Sequence, residues 1–399
     1  MRLATALLLL GACGDNIRPA EPDAGAPAAP DAAGPSFQMG PHPISAQVVS
    51  EGGPVLASPK VAAIFFGADD TLMPDVELFL AKLPGSSYWH AIANEYGVGD
   101  IAIDPTVVST DAAPTSDADI QSYVATMSDG THAGWPANDG TTIYTVFLPP
   151  GVTLSDFPGA CTSWGGYHSE GMDAKGMPFV YAVLPRCSTQ GNFLYPATLA
   201  TSHELLEAAT DPYPYSNPAF DQNDADHIAW GSIGGAELGD MCEFVRAANE
   251  AKLDIYSVQR QWSNAASAAG LDPCVPTDKA FQGAGAVLND TLTLTHQGQT
   301  FTTKGIAIPV GTSKTIDVQL WTDRATPSFE VNAYDAASQY RGGTAELTFA
   351  WDKRSGVNGD TLHLTITHVK AGRRGSSTFV IFAGPAADTQ SQWWGLVGN

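Results

Sequence analysis

Across 399 residues, 42 acidic side chains face only 19 lysines and arginines, and the resulting formal charge of −23 repels phosphate backbones and anionic headgroups. Nucleic acid and basic-patch membrane binding are therefore argued against, and the acidity reads as solubility in an extracellular setting. A chain of this length with 44% hydrophobic residues can bury a sizeable core, so two domains plus additional segments are expected.

The opening MRLATALLLLGACGDN carries one basic residue, a short apolar run and Leu10-Gly11-Ala12-Cys13, the pattern of a bacterial lipoprotein signal cleaved before a lipidated cysteine. The run is too short to span a bilayer as a helix. Residues 1–13 are thus read as a signal peptide with Cys13 as the lipidation site, and the expected membrane contact is through that lipid anchor only. Expected locations are the bacterial cell envelope, lipid-anchored at the outer membrane or cell surface, or the secreted fraction. Residues 14–43 read as a disordered tether, since up to about Ser36 they are Ala, Pro, Asp and Gly with almost no large apolar side chain to offset chain entropy.

A mixed domain, α+β or α/β, is expected over 44–276. KVAAIFFG (Lys60–Gly67) is a short apolar run of the kind a buried strand shows, and MPDVELFLAKLPGSSYWHAIANEYGVG has helical spacing broken by Pro-Gly, predicting a helix pair. TTIYTVFLPP (Thr141–Pro150) and MPFVYAVLP (Met177–Pro185) predict two more strands, each ended by proline. Between them, CTSWGGYHSEG places Tyr167 and His168 ahead of the second of these strands, where groups that stabilise an oxyanion could sit.

The segment TSHELLEAATDP follows. Pro196 suits a first helical turn and Pro212 cannot continue a helix, so a helix is predicted over about 196–210. At 100° per residue, Leu199, Ser202, Leu205, Leu206 and Ala209 share one arc, while His203, Glu204, Glu207 and Asp211 share the other. His203 and Glu207 lie one turn apart, about 6 Å along the axis, and can ligate one ion from the same side. In HExxH enzymes this spacing brings two imidazoles to zinc, and the glutamate beside the first histidine takes a proton from water. Here Glu207 stands where the second imidazole would be, and zinc accepts carboxylate oxygen as well. The competing reading is an amphipathic helix with its acids in solvent.

Downstream, DQNDADH has oxygen donors at calcium-like density in Asp221, Asn223 and Asp226, but lacks the glycine and terminal glutamate of an EF-hand loop, so a solvated turn is preferred over Ca²⁺. AELGDMC offers Glu237 as a third zinc ligand, with Asp240 and Asp211 as residues that orient the ligands from behind. Setting Cys13 aside, Cys161, Cys187, Cys242 and Cys274 form an even set in an exported protein, so disulfides are expected. Three pairings exist, and sequence proximity favours Cys161–Cys187 and Cys242–Cys274. No CxxC occurs, which argues against a cysteine zinc site. From 283 to 399, short Thr-rich runs alternate apolar and polar residues with period two, predicting an all-β sandwich of the immunoglobulin or jelly-roll kind.

The segments LASPKVAAIFFG, SSYWHAIANEYGVG, SHELLEAATDP, ELGDMC and VQRQWSNAA, spread over about Gly53 to Cys274, together resemble bacterial exported proteins related to the plant EXORDIUM (phosphate-induced protein) family. The resemblance implies an exported, surface-located protein and leaves its biochemistry open.

Two functions are consistent with these residues. One is a zincin-like metallopeptidase acting on extracellular peptides or proteins: zinc on His203, Glu207 and Glu237, Glu204 as general base, and His168 stabilising the transition state. The other is a non-catalytic surface or adhesion lipoprotein with at most a structural metal, binding a protein or cell-wall polymer through its β-sandwich and exposed aromatics such as Trp393 and Trp394.

Overall fold

Three of the apolar runs become the centre of the first half of the protein. In the computed structural model, β1 (Val49–Ser50) is followed by β2 (Lys60–Phe66), α1 (Met73–Leu80), α2 (Ser87–Ala93), β3 (Ala102–Ile103), β4 (Val107–Ser109), α3 (Asp117–Met127), β5 (Thr142–Phe147), β6 (Tyr167–Met172), β7 (Pro178–Leu184) and α4 (Leu194–Thr210). The structure describes residues 37–399 apart from 68–69, 222–223, 234–236, 244–248, 297–298, 373–374, 386–389 and 399, so Cys13, residues 14–36 of the tether and Asn223 lie outside the described residues.

The sheet order is β3-β2-β5-β7-β6, with β4 also paired to β2. Strands β2, β5 and β7 are parallel, and β6 runs antiparallel to β7 at the edge, with His168 opposite Ala182. Alternate side chains of β2 enter different cores: Val61, Ala63 and Phe65 pack on the side of α1, α2 and α4, whereas Ala62, Ile64 and Phe66 pack with Ile120 and Val124 of α3. Burial on both faces is why these strands are unbroken apolar runs rather than alternating ones.

Helix α4 begins two residues earlier than the proline suggests, because Asn192 Oδ1 accepts from the backbone N–H groups of Leu194 (3.0 Å) and Tyr195 (3.1 Å), satisfying two donors of the first turn. The competing reading, with the acids of the helix in solvent, is not met. His203, Glu204 and Glu207 are only 9%, 4% and 2% exposed, so both arcs are covered. The cover on one side is β6. On the other it comes from the chain after β8 (Phe220–Asp221): α5 (Asp240–Glu243), β9 (Glu250–Leu253), β10 (Tyr256–Gln259), β11 (Gln261–Trp262), α6 (Asn264–Ala268) and β12 (Cys274–Val275). Strand β10 lies along the helix, with Thr198 Oγ1 donating to Ser257 O (2.8 Å) and Gln259 N donating to Ser202 Oγ (2.9 Å).

Both disulfides form, Cys161–Cys187 and Cys242–Cys274, the pairs that proximity favours. Thiol labelling of denatured, non-reduced protein is expected to find none of these four cysteines free; two or more labelled thiols would refute the pairing. Removing Cys242–Cys274, which closes a separation of 32 residues, is expected to lower stability by about 3–4 kcal/mol in denaturant unfolding.

The second half is a sandwich. Its strands are β13 (Gln282–Ala286), β14 (Asp290–His296), β15 (Gln299–Ala307), β16 (Ser313–Thr322), β17 (Phe329–Asp335), β18 (Leu347–Trp351), β19 (Ser355–Gly356), β20 (Thr361–His368), β21 (Ser376–Ala383) and β22 (Ser391–Gly398), with one helical turn, α7 (Ala336–Tyr340). They form a four-stranded sheet, β13-β16-β20-β18, and a six-stranded sheet, β14-β15-β22-β21-β17-β19. Trp393 and Trp394, expected as exposed contacts, are buried: β22 lies between β15 and β21, so Trp393 packs near Phe379 and Trp394 against Tyr340 of α7.

Residues 38–399 form one compact unit, with a continuous apolar core reaching from Val61 to Val397. The tether's expected end at 43 needs correction, because residues 38–43 dock on the sandwich. Gly40 N donates to Asn358 Oδ1 (2.8 Å), Asn358 Nδ2 donates to Gln38 O (2.7 Å), and the His42 ring lies 5.5 Å from that of Trp321. Composition without large apolar residues ends at Phe37, and the backbone and ring groups after it find partners. Among the described residues no helix is long and apolar enough to cross a membrane.

Candidate metal centre

Three chain segments converge at the C-terminal part of α4. The edge strand β6 contributes His168 from one side. Gly166, just before it, makes the approach feasible, since a Cβ there would lie 2.8 Å from Glu204 Oε1. From the other side comes the turn 237–240 leading into α5, tied to β12 by Cys242–Cys274. Its backbone N–H groups at Gly239 (2.8 Å) and Asp240 (3.1 Å) both donate to Glu207 Oε1. Gln259 Nε2 holds this turn by donating to Gly239 O (2.7 Å). A Cβ on Gly239 would fall 2.7 Å from His203 Nδ1 and 2.9 Å from Glu207 Oε1. These glycines and Gln259 escaped sequence reasoning; the only trace of the glycines was their position beside the motifs, in WGGYH and ELGD.

With Oε1 committed to the backbone, Glu207 turns Oε2 toward both histidines, 2.9 Å from His203 Nε2 and 3.9 Å from His168 Nδ1. Two sets of donor atoms, each with members all within 4.8 Å of one another, result: His203, Glu207 and Asp240, and His168, Glu204 and Glu207. Imidazole nitrogen with carboxylate oxygen suits zinc and neighbouring divalent transition metals.

This differs from the expected assignment in three ways. Asp240, not Glu237, joins His203 and Glu207, with Oδ1 3.7 Å from His203 Nε2, because the backbone turns at 239–240 to reach Glu207 and carries the Asp240 side chain over the helix. Glu237, before the turn, lies on the His168 side, with Oε1 3.4 Å from His168 Nε2 and without a hydrogen-bond partner among the described residues. Asp211, expected behind the zinc ligands, serves His168 through its main chain: its carbonyl is 3.1 Å from His168 Nε2, while its carboxylate Oδ1 accepts from Ala219 N at 2.7 Å. Glu204 Oε1 is 4.0 Å from His203 Nε2 and its Oε2 is 3.6 Å from His168 Nδ1, between the two histidines.

The electrostatics follow from four carboxylates gathered around two imidazoles. Burial disfavours the His168 imidazolium, but Glu237, Glu204 and Glu207 outweigh it and push its pKa up to about 10. His203 is likewise raised well above its ordinary value, with Glu207, Glu204 and Asp240 overcoming burial. Burial would raise Glu207 too, yet the two histidines hold it low. Glu237, with burial and neighbouring acids acting together, is raised well above the usual carboxylate range, and Asp240 is raised by burial and Glu207 to about 7. Such a cluster calls for added positive charge, as protons or as a cation.

In the acidic loop considered for calcium, Asp224 is occupied by protein partners. Its carboxylate accepts from Gln47 N (3.0 Å) and Asp226 N (3.0 Å) and pairs with His227 Nδ1 (2.8 Å). Asp221 pairs with Val49 in the β1–β8 ladder, and Asn223 lies outside the described residues. Among the described residues, both converging donor sets belong to the α4 cluster and neither includes Asp221 or Asp226.

No protein-family model matches the chain, and no curated protein matches it. Among solved structures, it is similar to a conjugative transposon lipoprotein from Bacteroides eggerthii, 9% identical over 29% of this chain and 97% of that one, with a TM-score of 0.19.

Proposed function

We propose that the protein is a zinc-dependent peptidase of the bacterial cell envelope, acting on extracellular peptides or proteins, with the ion held by His203, Glu207 and Asp240. The observation that carries this reading is the convergence of those three donors while Glu204, on the same helix, stays outside their set. A mixed sheet whose antiparallel edge strand β6 adjoins a buried HExxE helix supports a zincin-like reading of the first half. Lipid anchoring rests on the Cys13 signal and kinship on the EXORDIUM-like segments.

Zinc held there would supply Lewis acidity, polarising a peptide carbonyl and lowering the pKa of a water at the site. His203 and Glu207 bind from one helical face and Asp240 from the turn; Gly239 N and Asp240 N fix the Glu207 carboxylate so that Oε2 faces inward. Glu204 takes the proton from water and delivers it to the leaving amine. His168, held by the Asp211 carbonyl, presents Nδ1 toward the same space and stabilises the developing oxyanion. Asp240 and Glu237, with side chains 24% and 21% exposed, mark the side from which solvent and substrate approach.

The test is metal content together with hydrolysis. Protein equilibrated with one equivalent of zinc is expected to retain one ion per chain and to cleave members of a broad peptide library. Absence of bound divalent metal overturns the reading. A retained ion without cleavage supports instead a structural metal in a binding protein, a second reading favoured by the burial of His168, His203, Glu204 and Glu207, because closed zinc sites are structural ones.

A further inference from the structure

We infer that the centre contains a second, weaker cation position, formed by His168, Glu204 and Glu207, and that excess zinc filling it shuts hydrolysis off. The inference rests on the reading that His203, Glu207 and Asp240 hold the first ion and that Glu204 is the base.

Orientation is the first argument. His168 Nε2 lies 3.1 Å from the Asp211 carbonyl, which can only accept, so Nε2 carries a proton and Nδ1 is the atom turned to the cluster. Facing Nδ1 are Glu204 Oε2 at 3.6 Å and Glu207 Oε2 at 3.9 Å, both beyond hydrogen-bond length. Three donor atoms facing one another at those separations surround a space that a cation between them would fill. Glu237 Oε1, 3.4 Å from His168 Nε2 and without a hydrogen-bond partner among the described residues, adds a carboxylate behind the imidazole, the arrangement that orients metal-bound histidines elsewhere.

Charge is the second argument. Glu204 and Glu207 set two carboxylates against the single His168 imidazole, an excess of negative charge even when that imidazole is protonated. All three residues of the second set are buried, where such an excess is costly. Sharing is the third. Glu207 Oε1 is held by two backbone N–H groups, so Oε2 alone faces both histidines and becomes the atom common to both positions. A cation in the second position engages Glu204 and His168, removing the base and the oxyanion donor together.

The experiment is zinc titration of the full chain by equilibrium dialysis, with metal counted by atomic spectroscopy and peptide hydrolysis followed in parallel. Two ions per chain at saturation are expected, with hydrolysis maximal at one equivalent and falling as the second binds. His168→Asn is expected to saturate at one ion. Saturation of the parent protein at one ion overturns the inference and leaves the peptidase reading standing, whereas no bound ion overturns the peptidase reading itself. Two ions in both parent and variant place the second ion elsewhere and overturn the inference. Should His168→Asn fail to fold, cobalt loading of the parent protein decides: two ions sharing Glu207 Oε2 couple magnetically, so the second equivalent lowers the paramagnetic resonance signal per ion, and a signal that simply doubles refutes the shared position.

Discussion

At one equivalent of zinc, Glu204→Gln is expected to retain its ion while peptide hydrolysis falls by about 10²–10⁴-fold. The amide keeps the shape of the carboxylate, which matters here because the Gly166 backbone passes close to Glu204 Oε1 and leaves little room for a larger group. What it loses is basicity. Glu204 stands outside the His203–Glu207–Asp240 set, so removing its charge should leave the first ion in place. The fall corresponds to about 3–5.5 kcal/mol of transition-state stabilisation, and it should appear in kcat rather than KM if Glu204 acts on the proton and not on substrate binding. Equal hydrolysis by parent and variant would exclude Glu204 as the base. Loss of zinc along with activity would make Glu204 a ligand of the first ion.

His203→Ala is expected to lose zinc at concentrations that saturate the parent protein, a larger effect than the roughly 10–100-fold that accompanies loss of a supporting group. His203 Nε2 is the only nitrogen in the first set, and its removal leaves Glu207 and Asp240 as an all-oxygen pair. A thermal readout separates this from simple misfolding. At a free zinc concentration 100 times Kd, the ion stabilises the parent protein by about 2.7 kcal/mol, so Tm rises on adding zinc; the variant's Tm should not respond. An unchanged zinc affinity in folded His203→Ala, verified by circular dichroism, would exclude the His203–Glu207–Asp240 assignment.

The strands at Lys60–Phe66, Thr142–Phe147 and Pro178–Leu184 and the helix at Leu194–Thr210 were legible in the sequence, because continuous apolar runs and the placement of proline are local signals. The period-two runs likewise announced the sandwich, and proximity singled out both disulfide pairs from an even set of cysteines. The pairing of His203 with Glu207 followed from helical geometry alone.

Other features depended on segments far apart in the chain. Helical periodicity put the acids and the histidine of α4 on one face and left open whether that face met solvent, and the packing of β6 and β10 against the helix buried it. Spacing nominated Glu237 as the third ligand. Backbone donation from Gly239 and Asp240 to Glu207 instead placed Asp240 near His203 and Glu237 near His168. His168 was an isolated histidine in the sequence, and β6 pairing with β7 at the sheet edge brought it to the cluster. The docking of residues 38–43 spans 318 positions from Gly40 to Asn358 and 279 from His42 to Trp321, and the burial of Trp393 and Trp394 required knowing that β22 lies inside its sheet. Side-chain periodicity and breaker residues report which element a segment forms, because those preferences act within a few residues. Which face is covered, and by what, is set by contacts between segments, and so the tertiary structure alone decided that the acids of α4 face two histidines rather than water.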